Sequence, residues 1–198
     1  MKLTLHVTDL DGYLWYQRME DMTAADFAKR LKHEGPTNDK MLKGTAWHKV
    51  LENPPGTIDT IEKDGFTFKV DCDRAIVLPQ VREIRASKTY HVAGVDVTLT
   101  GGCDGITGNV VIDHKLSFNP ELENYFESYQ WRAYLDIYNA DIFRYYVYSA
   151  KGDGTEITIK DVLEFAVFRY PGMVSYLEQG IFNVVSFIKL QAPEMIQA

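Results

Sequence analysis

The chain has little cysteine, no long apolar run, no excess of positive charge and no internal repeat, and each absence narrows what it can be. Two cysteines in 198 residues, Cys72 and Cys103, cannot form a disulfide framework or a four-cysteine metal centre. A reducing cytosol is the compartment such usage fits. No apolar stretch reaches the roughly 18 residues a membrane helix needs. The opening MKLTLHVTDLDGYLWY lacks the apolar core and small-residue cleavage site of a secretory leader, so secretion is not expected. Lysine and arginine number 21 against 28 acidic residues, a net charge of −7. That balance argues against coating nucleic acid by general electrostatics, although a local grip remains open where a bound cation offsets clustered carboxylates. No G-x-x-x-x-G-K-[ST] motif occurs, so the chain carries no phosphate-loop motor of its own.

What remains is an ordinary globular composition, 45% hydrophobic and 25% charged, long enough for one well-cored domain. Residues 9–34 read as helical with a break near Asp21–Thr23; Thr23 is a good N-cap, and Gly35-Pro36 closes the segment. A second helix spans Asn38 to Glu52 and ends at Asn53-Pro54-Pro55-Gly56. The period then changes. TIDTIEKDGFTFKVD is a hairpin turning at Asp64-Gly65, and EIRASKTYHVAGVDVTLTGG is a strand pair turning at Ala93-Gly94. After a further hairpin, Asn119-Pro120-Glu121 looks like a helix start, with the helix running to about Asn139. IFRYYVYSA and EITIKDVLEFAVFRY read as strands, and a closing helix follows Pro171-Gly172. The expected architecture is one α/β domain over 1–198: N-terminal helices over 1–55, a core with a central mixed sheet over 56–170, and a C-terminal helix over 171–198.

The segment TGGCDGITGNVVIDHKLS, residues 100–117, is the unusual one. Carboxylates are depleted in strands, yet Asp104 and Asp113 sit in two apolar runs joined by Gly108-Asn109, a favoured type II′ hairpin loop. Counting outward from that turn sets Thr107 opposite Val110, Ile106 opposite Val111, Gly105 opposite Ile112 and Asp104 opposite Asp113. Cross-strand partners stand about 5 Å apart on one face. Lys115 joins that face, while Ile112, His114 and Leu116 point away. Opposed like charges destabilise a hairpin unless something positive lies between them. Lys115 supplies one charge and a divalent cation such as Mg²⁺ would supply the rest. A solvent-facing strand pair with an Asp–Lys bridge fits the same residues.

GGCD (101–104) followed by VIDHK (111–115) resembles the G-x-x-D and D-x-K pair of the PD-(D/E)xK nuclease superfamily. GTAWH (44–48) and QWRAY (130–134) are similar to the G-x-x-x-H and Q-x-x-x-Y helical motifs of its RecB-type and phage-exonuclease branch, and all four occur in the expected order. The resemblance implies a restriction-endonuclease-like core and a Mg²⁺- or Mn²⁺-dependent nuclease acting on DNA, most simply an exonuclease of recombination, repair or phage DNA processing. It implies metal ligation by His48, Asp104, Asp113 and the backbone carbonyl of His114. Lys115 would serve the attacking water together with Asp104 and Asp113, and Gln130 and Tyr134 would position DNA. It further implies a recombination or single-strand-annealing protein as companion, a homo-oligomer, no membrane, and a cytoplasmic location (the host cytoplasm for a phage protein).

Other readings of the same residues stay open. His48 also fits a core position on an amphipathic helix, and Tyr134 fits ordinary packing. Gly44 is read as leaving room for the sheet or metal at the imidazole. Tyr129, Trp131 and Tyr138 are assigned to core or helix contacts, and Glu83 to an edge-strand salt bridge. The iron–sulfur cysteines of some relatives are absent, so no cluster is expected. A catalytically silent nucleic-acid-binding or assembly subunit is the alternative function, motivated by the acidic balance and small size. A metal-dependent hydrolase of small phosphoesters would use the same ligands.

Overall fold

The computed structural model describes residues 1–35, 38–52, 59–73 and 76–197. Its first element is a strand, β1 (Lys2–His6), whose Leu3 and Leu5 are buried while Lys2, Thr4 and His6 face out. This corrects the expectation of helices alone over 1–55: the period of two in KLTLH governs the opening residues. α1 (Val7–Arg18) and α2 (Ala24–Leu31) follow with the expected break between them. Thr23 caps α2 by accepting from the Asp26 amide at 3.2 Å. α3 (Asp39–Glu52) starts beside Asn38, whose Oδ1 accepts from the Met41 amide at 2.9 Å. Pro36 and the expected helix end at 53–56 lie outside the described residues.

The hairpins turn where expected. β2 (Thr60–Lys63) and β3 (Phe66–Val70) are joined by Asp64 and Gly65, both left-handed, with φ of 50° and 81°. β4 (Val81–Val92) and β5 (Val95–Thr107) turn at Ala93-Gly94, and β5 and β6 (Val110–Ser117) at Gly108-Asn109. The single helix expected over 119–139 is instead two, α4 (Leu122–Glu127) and α5 (Tyr129–Ile137). Ser128 breaks it: its backbone is extended in ψ at 138°, and its hydroxyl accepts from the Gln130 amide, a local bond that competes with helix continuation. Asn119 does not start the helix, because its side-chain amide donates to Glu121 instead. β7 (Ile142–Lys151), β8 (Glu156–Phe168) and α6 (Met173–Gln191) complete the described elements, with a short 3₁₀ turn at Pro193–Met195.

The strands form one mixed sheet in the order β1-β5-β6-β7-β8-β3-β2, with β4 paired along β5 as well. Pairing is parallel for β1/β5, β6/β7 and β3/β8, and antiparallel elsewhere. Alternation sorts the strand residues between two cores. Val111, Tyr145 and Val147 pack with α1, α2, α5 and α6 on one face, while Ile112, Tyr146 and Tyr148 pack with Trp47, Val50 and Leu51 of α3 on the other. A central mixed sheet flanked by helices is the architecture expected from the sequence. Among the described residues no helix is long and apolar enough to cross a membrane.

Two glycines respond oppositely to a methyl group. A Cβ on Gly101 of β5 would overlap Cε1 of Tyr134 and stand 2.9 Å from Cγ2 of Val7, whereas one on Gly44 of α3 meets nothing within 4 Å. Gly101→Ala is therefore expected to lower the unfolding free energy by about 1–3 kcal/mol. Gly44→Ala should leave it unchanged or raise it by up to about 1 kcal/mol through helix propensity. Urea titrations of both variants check this.

Candidate active site at a fork in the sheet

β4 covers one edge of β5 from Val95 to Ile106. The other edge is shared: β1 pairs with residues 96–100 and β6 with 105–107, leaving 101–104 without a ladder partner on that side. The site lies in this slot. The ladder from the Gly108-Asn109 turn keeps its expected register for three rows, ending at Gly105 opposite Ile112. In an antiparallel ladder, hydrogen-bonded pairs recur every second row, so the next would join Cys103 and His114. The bond is replaced. The His114 amide donates to Asp104 Oδ2 at 2.5 Å, and a carboxylate stands where a backbone carbonyl would.

Strict alternation also breaks here. Cys103 and Ile106 pack into the same core although three residues apart. On β4, Glu83, which the register would set opposite Asp104, has a left-handed φ of 52° and drops out of the ladder. Asp104 therefore lies within the plane of the fork and not on the Asp113 face, as simple counting had it. Its Oδ1 reaches His48 of α3, 3.1 Å from Nδ1. Glu83 and Asp104 act on each other by charge, as do Asp104 and Asp113. Among the described residues Glu83 joins no ion pair, and it lines a small cavity with His48, Asp104 and His114.

Asp113 is buried and held from two sides. Lys115 Nζ stands 2.9 Å from its Oδ2 and donates to Oδ1 at 3.1 Å, while the Gln130 side-chain amide donates to Oδ1 at 3.3 Å. Gln130 and Tyr134 diverge in use. Tyr134 is buried and its hydroxyl donates to the Gly102 carbonyl at 2.7 Å, so it orients the strand that carries Asp104. Gly101 is the glycine that this approach requires. The room at Gly44, by contrast, is not claimed by sheet or imidazole. Trp131 and Tyr129 are buried as assigned, and Tyr138 is partly buried, its hydroxyl donating to the Ile84 carbonyl.

The electrostatics follow from burial and partner. Desolvation pushes Asp113 up to about 6, reinforced by Asp104 and opposed by Lys115. Desolvation would raise Asp104 too, but the His48 hydrogen bond and charge, Lys115 and the His114 amide outweigh it and hold that carboxyl below its usual range. Burial would lower His48, yet the Asp104 hydrogen bond and charge raise it. Burial likewise works against the Lys115 ammonium, and the charges of Asp113 and Asp104 raise it above its ordinary value.

The oxygen donors at the fork are of the type a hard divalent cation takes. Asp113 Oδ2 is buried with no hydrogen-bond donor beyond the Lys115 approach. A strand residue points its N–H and C=O to the same edge, so the His114 carbonyl faces the fork with its amide. His48, Asp104, Asp113 and that carbonyl thus fit such an ion, though among the described residues no three His, Cys, Asp or Glu side chains stand together as a ready-made shell.

Sequence reading missed the ground beside Lys115. A cleft of about 270 Å³ opens there, with Asp11, Ser128, Gln130 and Tyr145 at its walls and Trp15 and Arg18 among the outer residues. Trp15 is exposed, Arg18 pairs with Glu127, and the Tyr145 hydroxyl is buried. Trp15 and Arg18 are one turn apart on an N-terminal helix, which was the available signal; Tyr145 becomes visible only once β7 is set beside β6.

No family model matches the chain, and no curated protein matches it in sequence. Solved structures do share its fold. A protein from Eubacterium rectale, itself only provisionally designated an exonuclease, aligns with a TM-score of 0.57 at 11% identity over 96% of this chain and 82% of its own. The protein SSO0001 aligns at 0.54 and 16% identity, over 96% and 78%. An alkaline exonuclease from Laribacter hongkongensis gives 0.48 and 14% identity, over 97% and 89%. The class defined is architectural: a mixed sheet flanked by helices, shared with the Eubacterium rectale protein and with SSO0001.

His114 gives a pH test of the fork. Its ring is buried, its Nδ1 lies 3.0 Å from the Tyr148 hydroxyl, and burial lowers its pKa to about 4. Between its unfolded value of 6.5 and about 4 the unfolded chain binds the extra proton, so stability falls on acidification through that window. Relative to His114→Gln, the wild type should lose on the order of 3 kcal/mol between pH 7 and pH 4. Denaturant unfolding of both proteins at unit pH steps measures the difference.

Proposed function

We propose that the chain is a Mg²⁺- or Mn²⁺-dependent DNA nuclease working as an exonuclease. One observation carries the reading: Asp104 is inserted into the ladder in place of a backbone hydrogen bond, paired with His48, while Asp113 pairs with Lys115 on the neighbouring strand. Carboxylates that act on one another by charge cost stability, and a fold has little physical reason to bring them close without an ion to offset the charge. His48, Asp104, Asp113 and the His114 carbonyl would hold the cation. When bound, it supplies a Lewis acid for a phosphoryl oxygen and lowers the pKa of water.

The chain's own groups do the rest. Lys115 Nζ, already shared with Asp113, offers remaining protons to the attacking water or a phosphoryl oxygen as a compact point charge. Gln130 fixes the Asp113 carboxylate through Oδ1, leaving Oδ2 for the cation and Lys115. The cleft beside Lys115, about 270 Å³, lies just below the size range of small-ligand sites. It would admit a strand end, with the Trp15 ring and Arg18 at hand for base and phosphate. That geometry favours cleavage from an end, and the provisional exonuclease designation of the Eubacterium rectale protein agrees with it.

The second reading, a silent binding or assembly subunit, is favoured by the net charge of −7 and by the closed His48–Asp104 pair. Digestion of end-labelled linear and circular DNA with Mg²⁺ or Mn²⁺ separates the two. Nucleotide release from linear DNA is expected, stopped by chelation and restored by Mn²⁺. Asp113→Ala should abolish it, and Lys115→Ala should slow it about 10²–10⁴-fold, each with an unchanged far-ultraviolet circular dichroism spectrum. A folded wild type that cuts no DNA or RNA in either metal would sink the nuclease reading.

A further inference from the structure

Asp11 lies on α1, far from the four motifs in sequence, yet it reaches the first turn of α5. It accepts from the Ser128 hydroxyl at 2.6 Å through Oδ2 and from the Tyr129 amide at 2.5 Å through Oδ1. Ser128 in turn accepts from the Gln130 amide at 3.0 Å. The Gln130 side chain then donates to Asp113. A continuous run of hydrogen bonds therefore leads from an α1 carboxylate, through the break between α4 and α5, to the most buried acid of the site.

The same carboxylate lines the cleft beside Lys115 and acts on its ammonium by charge. The arrangement is costly, since burial works against ionised Asp11, and is offset by the hydroxyl and amides that converge on it. A negative charge at a helix N-terminus is also favoured by the positive end of the helix dipole. Helix capping alone needs less: Ser128 already serves α5 as N-cap, and a buried charge behind it adds cost without adding a turn.

We propose that Asp11 is a positioning residue for the reaction site, acting through Ser128 and Gln130 to hold the Asp113 carboxylate where it meets Lys115 and the cation. The inference rests on the nuclease reading for its catalytic meaning, but its geometry is testable without it. Groups that orient a metal ligand from behind are worth about 10–100-fold in metal affinity or activity.

The test is a double-mutant cycle on the full chain with Asp11→Asn, Gln130→Ala and the pair, reading the Mn²⁺ dissociation constant by calorimetry and kcat separately from KM. Asp11→Asn alone should weaken Mn²⁺ binding by about tenfold and lower kcat with KM little changed. In the Gln130→Ala background it should add less than about twofold, because the path it uses is already cut. Equal effects in both backgrounds, or unchanged Mn²⁺ affinity, would overturn the proposal in favour of a role in packing only. Ser128→Ala breaks the same path one bond later and should reproduce the pattern, which covers an Asp11→Asn protein that fails to fold. Should the wild type bind no Mn²⁺ and cut nothing, the nuclease reading falls, and the Gln130 side-chain amide resonances of the metal-free protein decide Asp11 independently. They should shift in Asp11→Asn, and an unchanged position overturns the proposal.

Discussion

The site depends on one substitution of partners: a carboxylate in place of a carbonyl at the His114 amide. A regular ladder would have carried β5 and β6 past each other for another row and sealed Asp104 between backbones. Because β1 and β6 divide the same edge of β5, residues 101–104 have an open side, and the Asp104 side chain fills it without leaving the His114 N–H orphaned. An unsatisfied buried N–H costs about as much as a lost hydrogen bond. The acid that creates the gap therefore also satisfies it, and the His114 carbonyl is left facing the same space.

The charges around that gap constrain one another. Asp113 is the group most penalised by burial, and Lys115 and Gln130 partly offset the penalty. Asp104 escapes the same fate because His48, Lys115 and a backbone amide all favour its ionised form. The two carboxylates thus have different characters, one comfortable as an anion and one held as an anion against its surroundings. A cation entering the fork would relieve the second more than the first.

Much of this was legible along the chain. Gly108-Asn109 marked the turn and hence the register; Asp64-Gly65 and Ala93-Gly94 marked the other hairpins, since left-handed turn positions select few residue types. β1 was missed because five residues of alternation are a weak signal beside a longer helical period that follows at once. The break at Ser128 was missed because its cause, a hydroxyl shared with Asp11 and the Gln130 amide, is partly tertiary. Glu83 looked like an edge-strand salt-bridge residue because nothing in EIRASK announces a left-handed φ. The strain appears only where β4 meets the Asp104 row. Tyr134 and Gly101 make a further case: each is unremarkable alone, and their mutual fit exists only once α5 lies on β5.

By itself the sequence determined the kinds of groups available, their order, and the local turns that set acids, lysine and histidine on strands and a helix. Those follow from short-range rules of period and turn chemistry. Only the tertiary structure decided that β5 would be shared between two neighbours, and that decision put Asp104 into the plane of the fork, turned His48 onto it from the opposite layer, and opened the cleft beside Lys115. Sheet edges are allotted by the competition of distant segments for the same backbone hydrogen bonds, and no local pattern records who wins.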